Sequence, residues 1–145
     1  MASSAVLFAC NHNAVRSAMA ESIAKHLYGH ALYIDSVGVQ PGELDPFAVA
    51  AMEEIGIDLS SHTPKSFDDL EDSSYDLIVS LTPEAQHRAV EMTRTMACDV
   101  EYWATFDPTI VEGNRETRLA AYRQTRDALF RKIKERFDRG GPPQV

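Results

Sequence analysis

The chain has 145 residues, 44% of them hydrophobic and 25% charged, with a formal net charge of −8; that is the size and make-up of one globular domain with a real core. The acidic balance argues against a nucleic-acid partner, because Arg131, Lys132, Lys134 and Arg136 are broken up by Glu135 and Asp138 and read as a solvated helix face. No apolar run approaches a membrane span, no basic region leads into a cleavable apolar segment, and two cysteines make no disulfide framework, so a cytoplasmic, reducing setting is expected.

In chain order, the apolar run Ala5–Ala9 predicts a first strand. A first helix is predicted over Ser17–Tyr28, with Met19, Ile23 and Leu27 on one face and Gly29 at its end. A second strand is expected at Leu32–Val37, followed by a loop with Gly38, Pro41 and Gly42. Asp45-Pro46 reads as an N-cap with proline in the first helical position, and that helix carries Phe47, Ala51 and Ile55 and stops at Gly56. The polar stretch Asp58–Ser74 reads as irregular, with one turn at Phe67–Leu70. Asp76–Leu81 is a central strand, and Thr82-Pro83-Glu84 opens a helix to about Thr93. Asp99–Trp103 is a fourth, shorter strand. Leu119, Tyr122, Leu129, Phe130, Ile133 and Phe137 keep helical spacing along a last long helix. Residues 140–145, beginning Gly140-Gly141-Pro142-Pro143, are expected to be a disordered tail after a domain spanning 1–139.

Alternating strands and helices imply an α/β fold: a single-domain, doubly wound, mostly parallel four-stranded sheet with helices on both faces. Such sheets bind ligands beyond the carboxyl ends of their strands. The segment Cys10-Asn11-His12-Asn13-Ala14-Val15-Arg16-Ser17 falls there, between the first strand and the first helix. Unpaired N–H groups and the macrodipole at a helix N-terminus favour a tetrahedral oxyanion. Arg16 adds a planar fork for two of its oxygens. Cys10 adds a nucleophile whose thiolate the helix terminus, Arg16 and the Ser17 hydroxyl would stabilise. The loop therefore reads as a phosphate cradle with Cys10 at its base. Backbone N–H groups across Asn11, His12, Asn13, Ala14, Val15 and Ser17 would hold the equatorial oxygens. The His12 side chain reads as a loop side chain rather than a catalyst. His26 and His30 share a helix face but lack further ligands, so no metal and no cofactor are expected.

The segment Leu7–Glu21, LFACNHNAVRSAMAE, resembles the signature of the low-molecular-weight protein tyrosine phosphatase family, whose fold is shared by arsenate reductases. The likeness continues through Asp35-Ser36-Val37-Gly38, Gly56-Ile57-Asp58-Leu59, Asp76-Leu77-Ile78-Val79-Ser80 and Asp107-Pro108. It implies that Asn13 and Ser36 stiffen the cradle and that Asp107 is the general acid for the leaving group, with Glu112 as the fallback. By the same resemblance Glu21 and Asp68 could contribute to a weak cation site. The expected activity is phosphomonoester hydrolysis through a cysteinyl-phosphate, of phosphotyrosine type. The substrate is then a phosphorylated protein, a small phosphomonoester or another oxyanion.

Three departures bear on that expectation. Val15 stands where the phosphatases often have a second cysteine. The loop Val39–Leu44 lacks an aromatic residue, and Thr109 and Ile110 follow Asp107-Pro108 where tyrosines are common, so Phe47, Phe106 and Trp103 are the remaining candidates to grip a ring. His12-Asn13 and the Gly38–Asp45 loop look more like the arsenate reductase branch. Thioredoxin-coupled members of that branch need two further cysteines near the end of the third strand, and this chain has only Cys98 besides Cys10. The competing readings are an arsenate reductase using a small external thiol and a non-catalytic oxyanion-binding module.

Overall fold

The computed structural model describes residues 4–70 and 74–138. The strands are β1 (Ser4–Cys10), β2 (Leu32–Gly38), β3 (Leu77–Ser80) and β4 (Asp99–Tyr102). The helices are α1 (Arg16–Tyr28), α2 (Pro46–Glu53), α3 (Pro83–Met92) and α4 (Arg115–Phe137). All strand pairs are parallel, in the order β2-β1-β3-β4, which is the α/β class expected. The expected tail at 140–145 lies outside the described residues.

Successive β1 side chains go to opposite faces of the sheet, and both faces are covered, so the strand is apolar throughout. Val6, Phe8 and Cys10 join α1, α2 and α4 in the larger core, with Met19, Ile23, Met52, Tyr122 and Ile133 fully enclosed. Each such side chain contributes about 2 kcal/mol of hydrophobic stabilisation. Leu7 and Ala9 face the other way, onto Ile78, Phe67, Tyr75 and the Ala85 and Ala89 face of α3. Trp103 packs edge-on against Phe8 at 6.0 Å.

Caps set the helix starts. Asp45 accepts from the Phe47 N–H ahead of Pro46, as its sequence suggests, and Thr82 caps α3 through the Ala85 N–H. Asn114 caps α4 through the Thr117 N–H, ahead of Leu119, the first apolar landmark of that helix. Helix α2 ends at Glu53 rather than Ile55, because residues 54–56 tighten into a turn closed by Gly56 at φ +79°. The turn expected near Phe67 is a 3-10 turn over Phe67–Asp69, held by a capping box between Ser66 and Asp69. Helix α1 differs from the others: its N-cap, Val15, offers no side-chain acceptor. Its first N–H groups are therefore left for something else.

Candidate active site

Residues 11–15 form the turn between β1 and α1. The carbonyl oxygens of this loop are tied outward. Cys10 O accepts from the Val39 N–H at 3.0 Å, Asn11 O from Gln40 at 2.9 Å and His12 O from Gly42 at 2.9 Å. Among the described residues, the N–H groups of His12 to Arg16 have no protein acceptor. Successive backbone donors with no internal partner make an anion-binding nest. Gly38 allows this close approach: a Cβ there would lie 2.7 Å from Asn13 N and 2.7 Å from the His12 carbonyl carbon. Asn13 takes the left-handed backbone at φ 55°, which its short polar side chain tolerates.

The Asn13 amide is fully used. Its oxygen accepts from the Lys65 N–H at 3.0 Å and from His62 Nε2 at 3.1 Å, and its nitrogen donates to Ser17 Oγ and Ser36 Oγ, both at 2.8 Å. His62 Nε2 also faces Asn13 O at 3.0 Å, and two acceptors make it the protonated ring nitrogen. Ser36 donates in turn to Glu21, which pairs with Lys25 and lies 3.7 Å from His62 Nδ1. Asn13, Ser36, Glu21 and His62 thus close a ring behind the loop, and Asn13, Ser17 and Ser36 are fully buried in it. A satisfied buried polar network of this kind fixes one loop conformation.

Ser17 carries the network to the sulfur. Its oxygen accepts from Asn13, and the hydroxyl lies within hydrogen-bond reach of Cys10 Sγ at 2.9 Å and donates to Val37 O at 3.3 Å. The Ser17 N–H also faces Sγ at 3.4 Å.

Cys10, Arg16 and Asp107 line one cavity of about 650 Å³, together with Gly42–Phe47, Thr109 and Arg118. Arg16 donates to Thr105 O at 3.1 Å, and its other terminal nitrogen lies 3.7 Å from Asp107 Oδ2. Asp107 caps the short 3-10 turn Pro108–Ile110: Oδ1 accepts from the Thr109 N–H at 3.0 Å and from the Thr109 hydroxyl at 2.7 Å. Oδ2 is left facing Arg16. Pro108 keeps Asp107 extended, at φ −90° and ψ 105°.

Cys10, Arg16 and Asp107 therefore meet at one cavity, whereas Asn11, Asn13, Ser17 and Ser36 sit behind it. The Asn11 side chain accepts from the Thr82 hydroxyl at 2.7 Å, linking the loop to the start of α3. His12 is exposed and its Nδ1 meets Gln40 O at 3.0 Å, a loop role. Glu112 does not line the cavity. Of the three aromatic candidates, Phe47 lines this cavity, while Trp103 and Phe106 line a separate one against α4. Glu21 is occupied by Ser36 and Lys25, and Asp68 pairs with Arg88, so they do not meet at a common site. Sequence reasoning passed over His62, Lys65 and Thr105, whose roles depend on contacts 49, 52 and 89 residues away.

Cys98 lies at the other end of the sheet. Asp99 pairs with Leu77, which pairs with Val6, so Cys98 is level with Ala5, five residues below Cys10. At about 3.3 Å per residue that is roughly 16 Å, far beyond disulfide reach. Burial, then Asp99 and Asp76, push the Cys98 thiol up from its ordinary value, the opposite of a nucleophile's setting.

Among the described residues, no helix is long and apolar enough to cross a membrane. An arsenate reductase of Bacillus subtilis (strain 168) is 33% identical over 135 residues, covering 93% of this chain and 96% of that protein. A solved structure of a YwlE mutant from Bacillus subtilis superposes with a TM-score of 0.76 at 25% identity, over 92% of this chain and 95% of that one. An arsenate reductase in its phosphate-binding state superposes with a TM-score of 0.70 at 27% identity, over 91% and 95%. The family model described as low molecular weight phosphotyrosine protein phosphatase matches residues 5–140, and the chain belongs to that family.

Proposed function

We propose that the protein is a phosphomonoester hydrolase of phosphotyrosine type that works through a cysteinyl-phosphate. The carrying observation is that Asp107 Oδ2, which the Thr109 cap does not use, lies 3.7 Å from Arg16 in the cavity that Cys10 also lines. A cradle that only bound an oxyanion would need no carboxyl group poised for a leaving oxygen. In the first step Cys10 Sγ forms a bond to phosphorus as the P–O bond to the substrate breaks. The leaving oxygen takes the proton carried by Asp107. In the second step water attacks phosphorus, gives its proton to the Asp107 carboxylate, and the thiolate leaves. Arg16 and the loop N–H groups bind the three equatorial oxygens throughout, and Ser17 receives the sulfur's charge at its departure.

The second reading is an arsenate reductase that uses an external small thiol, favoured by the relative at 33% identity that carries that name. An internal relay is unsupported, since Cys98 sits roughly 16 Å from Cys10 along the sheet. A nucleophilic thiol with no disulfide partner suits the cytoplasm. Purified protein assayed on aryl phosphates, and on arsenate with several small thiols, separates the two. Turnover of aryl phosphate, with arsenate reduction slow under every thiol, is expected; the reverse result overturns the hydrolase reading.

A further inference from the structure

Arginines along α4 differ in their partners. Arg123 pairs with Glu54 and Glu116, Arg126 with Glu54 and Asp127, and Arg136 with Glu101. Arg118 and Arg115, nearer the cavity, hold no carboxylate among the described residues. Their guanidinium carbons lie over the Phe47 ring instead, at 4.6 and 5.7 Å from its centre. Tyr122 stacks on that same ring at 5.3 Å. Phe47 thus carries Tyr122 and two guanidinium groups while still lining the cavity, and Arg118 brings a cation there. Arg118 lines the cavity, and so does Glu43, which has no ion-pair partner among the described residues. Asp45 is spent on the Phe47 N–H and the Tyr122 hydroxyl. The cavity lining therefore holds one cation from α4, Arg118, and one anion from the segment before α2, Glu43, neither in an ion pair among the described residues.

We propose that Arg118 is a specificity-determining residue that selects acidic phosphopeptides, binding a substrate carboxylate close to the phosphorylated residue. This rests on the hydrolase reading above. A chain of net charge −8 repels an anionic peptide at long range. Arg16 serves the phosphate, so an accessory anion needs a second cation with no carboxylate of its own. Arg118 meets that need, and its planar fork can take both carboxylate oxygens. Glu43 dictates the side from which the acidic residue enters.

The test uses phosphotyrosyl peptides carrying one Glu at successive positions on either side, each matched to a peptide with Gln. For the wild-type protein, kcat/KM should favour the Glu peptide by about threefold to tenfold in at least one position at low salt, mostly through KM. The preference should shrink as sodium chloride is raised to ~0.5 M. Arg118→Gln should bring the ratio to about 1, Arg118→Glu should invert it, and Glu43→Gln should increase it. A wild-type ratio of 1 or less at every position, or an unchanged ratio in Arg118→Gln, overturns the proposal. If no phosphate ester is turned over at all, the hydrolase reading fails on its own. The same peptides titrated onto Cys10→Ser, followed by fluorescence anisotropy, still decide the inference through the same ratio in Kd.

Discussion

The Ser17 hydroxyl lies 2.9 Å from the Cys10 sulfur, while the Asn13 amide occupies the oxygen of that hydroxyl. The hydroxyl is thereby held beside sulfur before any substrate arrives, and a donor already in place can assist a thiolate without reorganisation. Its main work should fall in the step where sulfur leaves phosphorus. Ser17→Ala is expected to lower kcat on the order of 10²-fold, and rapid-quench measurements should show a burst of released phenol as the phosphoenzyme accumulates. Unchanged kcat with no burst would remove Ser17 from the mechanism.

Cys10→Ser should abolish turnover by several orders of magnitude and still bind phosphate. The nest is built from backbone N–H groups that the substitution leaves in place, whereas a serine here has no base to activate it. Calorimetric titration with inorganic phosphate checks the binding half. Near-normal hydrolysis by this variant would sink the covalent mechanism.

Arg16→Lys keeps the charge and should nevertheless cost more than tenfold in kcat/KM. One nitrogen of Arg16 is held by Thr105 O at 3.1 Å and another faces Asp107 at 3.7 Å, so the fork is oriented at both ends. A lysine ammonium cannot reproduce two planar contacts. Retention of most catalytic efficiency would mean that the guanidinium does not clamp the oxyanion.

Asp107→Asn should act according to the leaving group. General acid catalysis is worth ~10²–10⁴-fold when the departing oxygen is basic, and little when the phenolate is already stable. The loss should therefore be steep on phosphotyrosine and shallow on strongly activated aryl phosphates. A Brønsted plot with equal loss across the series would assign Asp107 to structure, through its cap on Thr109.

Gly38→Ala probes the scaffold under the loop. The added Cβ meets backbone atoms of His12 and Asn13 at 2.7 Å, and neither can yield like a flexible side chain. Overpacking of this kind costs about 1–3 kcal/mol, or roughly 3–10 °C in Tm for a chain of this length. Activity should drop by more than tenfold at temperatures where the variant is still folded. A wild-type rate at 25 °C, combined with a lowered Tm, would show that the loop does not need this approach.

Local signals were legible to the extent that they were local. Apolar runs placed all four strands within two residues at each end, and Asp45-Pro46 and Thr82-Pro83 marked two helix starts because a cap and a proline act on neighbours. The proposed cradle was readable because Cys10, the loop N–H groups and Arg16 lie within eight consecutive residues. The ring behind it was not. His62 and Lys65 come from a polar, irregular stretch with no periodicity, and only the folded chain brings them to Asn13. Trp103 and Phe106 were credited to the rim on residue type alone, but Trp103 turns onto Phe8 and Phe106 faces α4. Which side of the chain a side chain takes after β4 depends on packing that composition does not encode.

The distance between the two sulfur atoms sets how the protein meets peroxide. A thiolate at Cys10 oxidises first to a sulfenic acid, which a nearby thiol would trap as a disulfide. Cys98 is held at the opposite end of the sheet, and Val15 adds no sulfur beside the loop. Recovery then depends on the surrounding pool of low-molecular-weight thiols, and where that pool is depleted a second equivalent of peroxide carries the sulfenic acid to the irreversible sulfinic form. Enzyme held in reducing buffer should regain activity after a brief peroxide pulse, whereas enzyme exposed to excess peroxide without added thiol should lose it permanently.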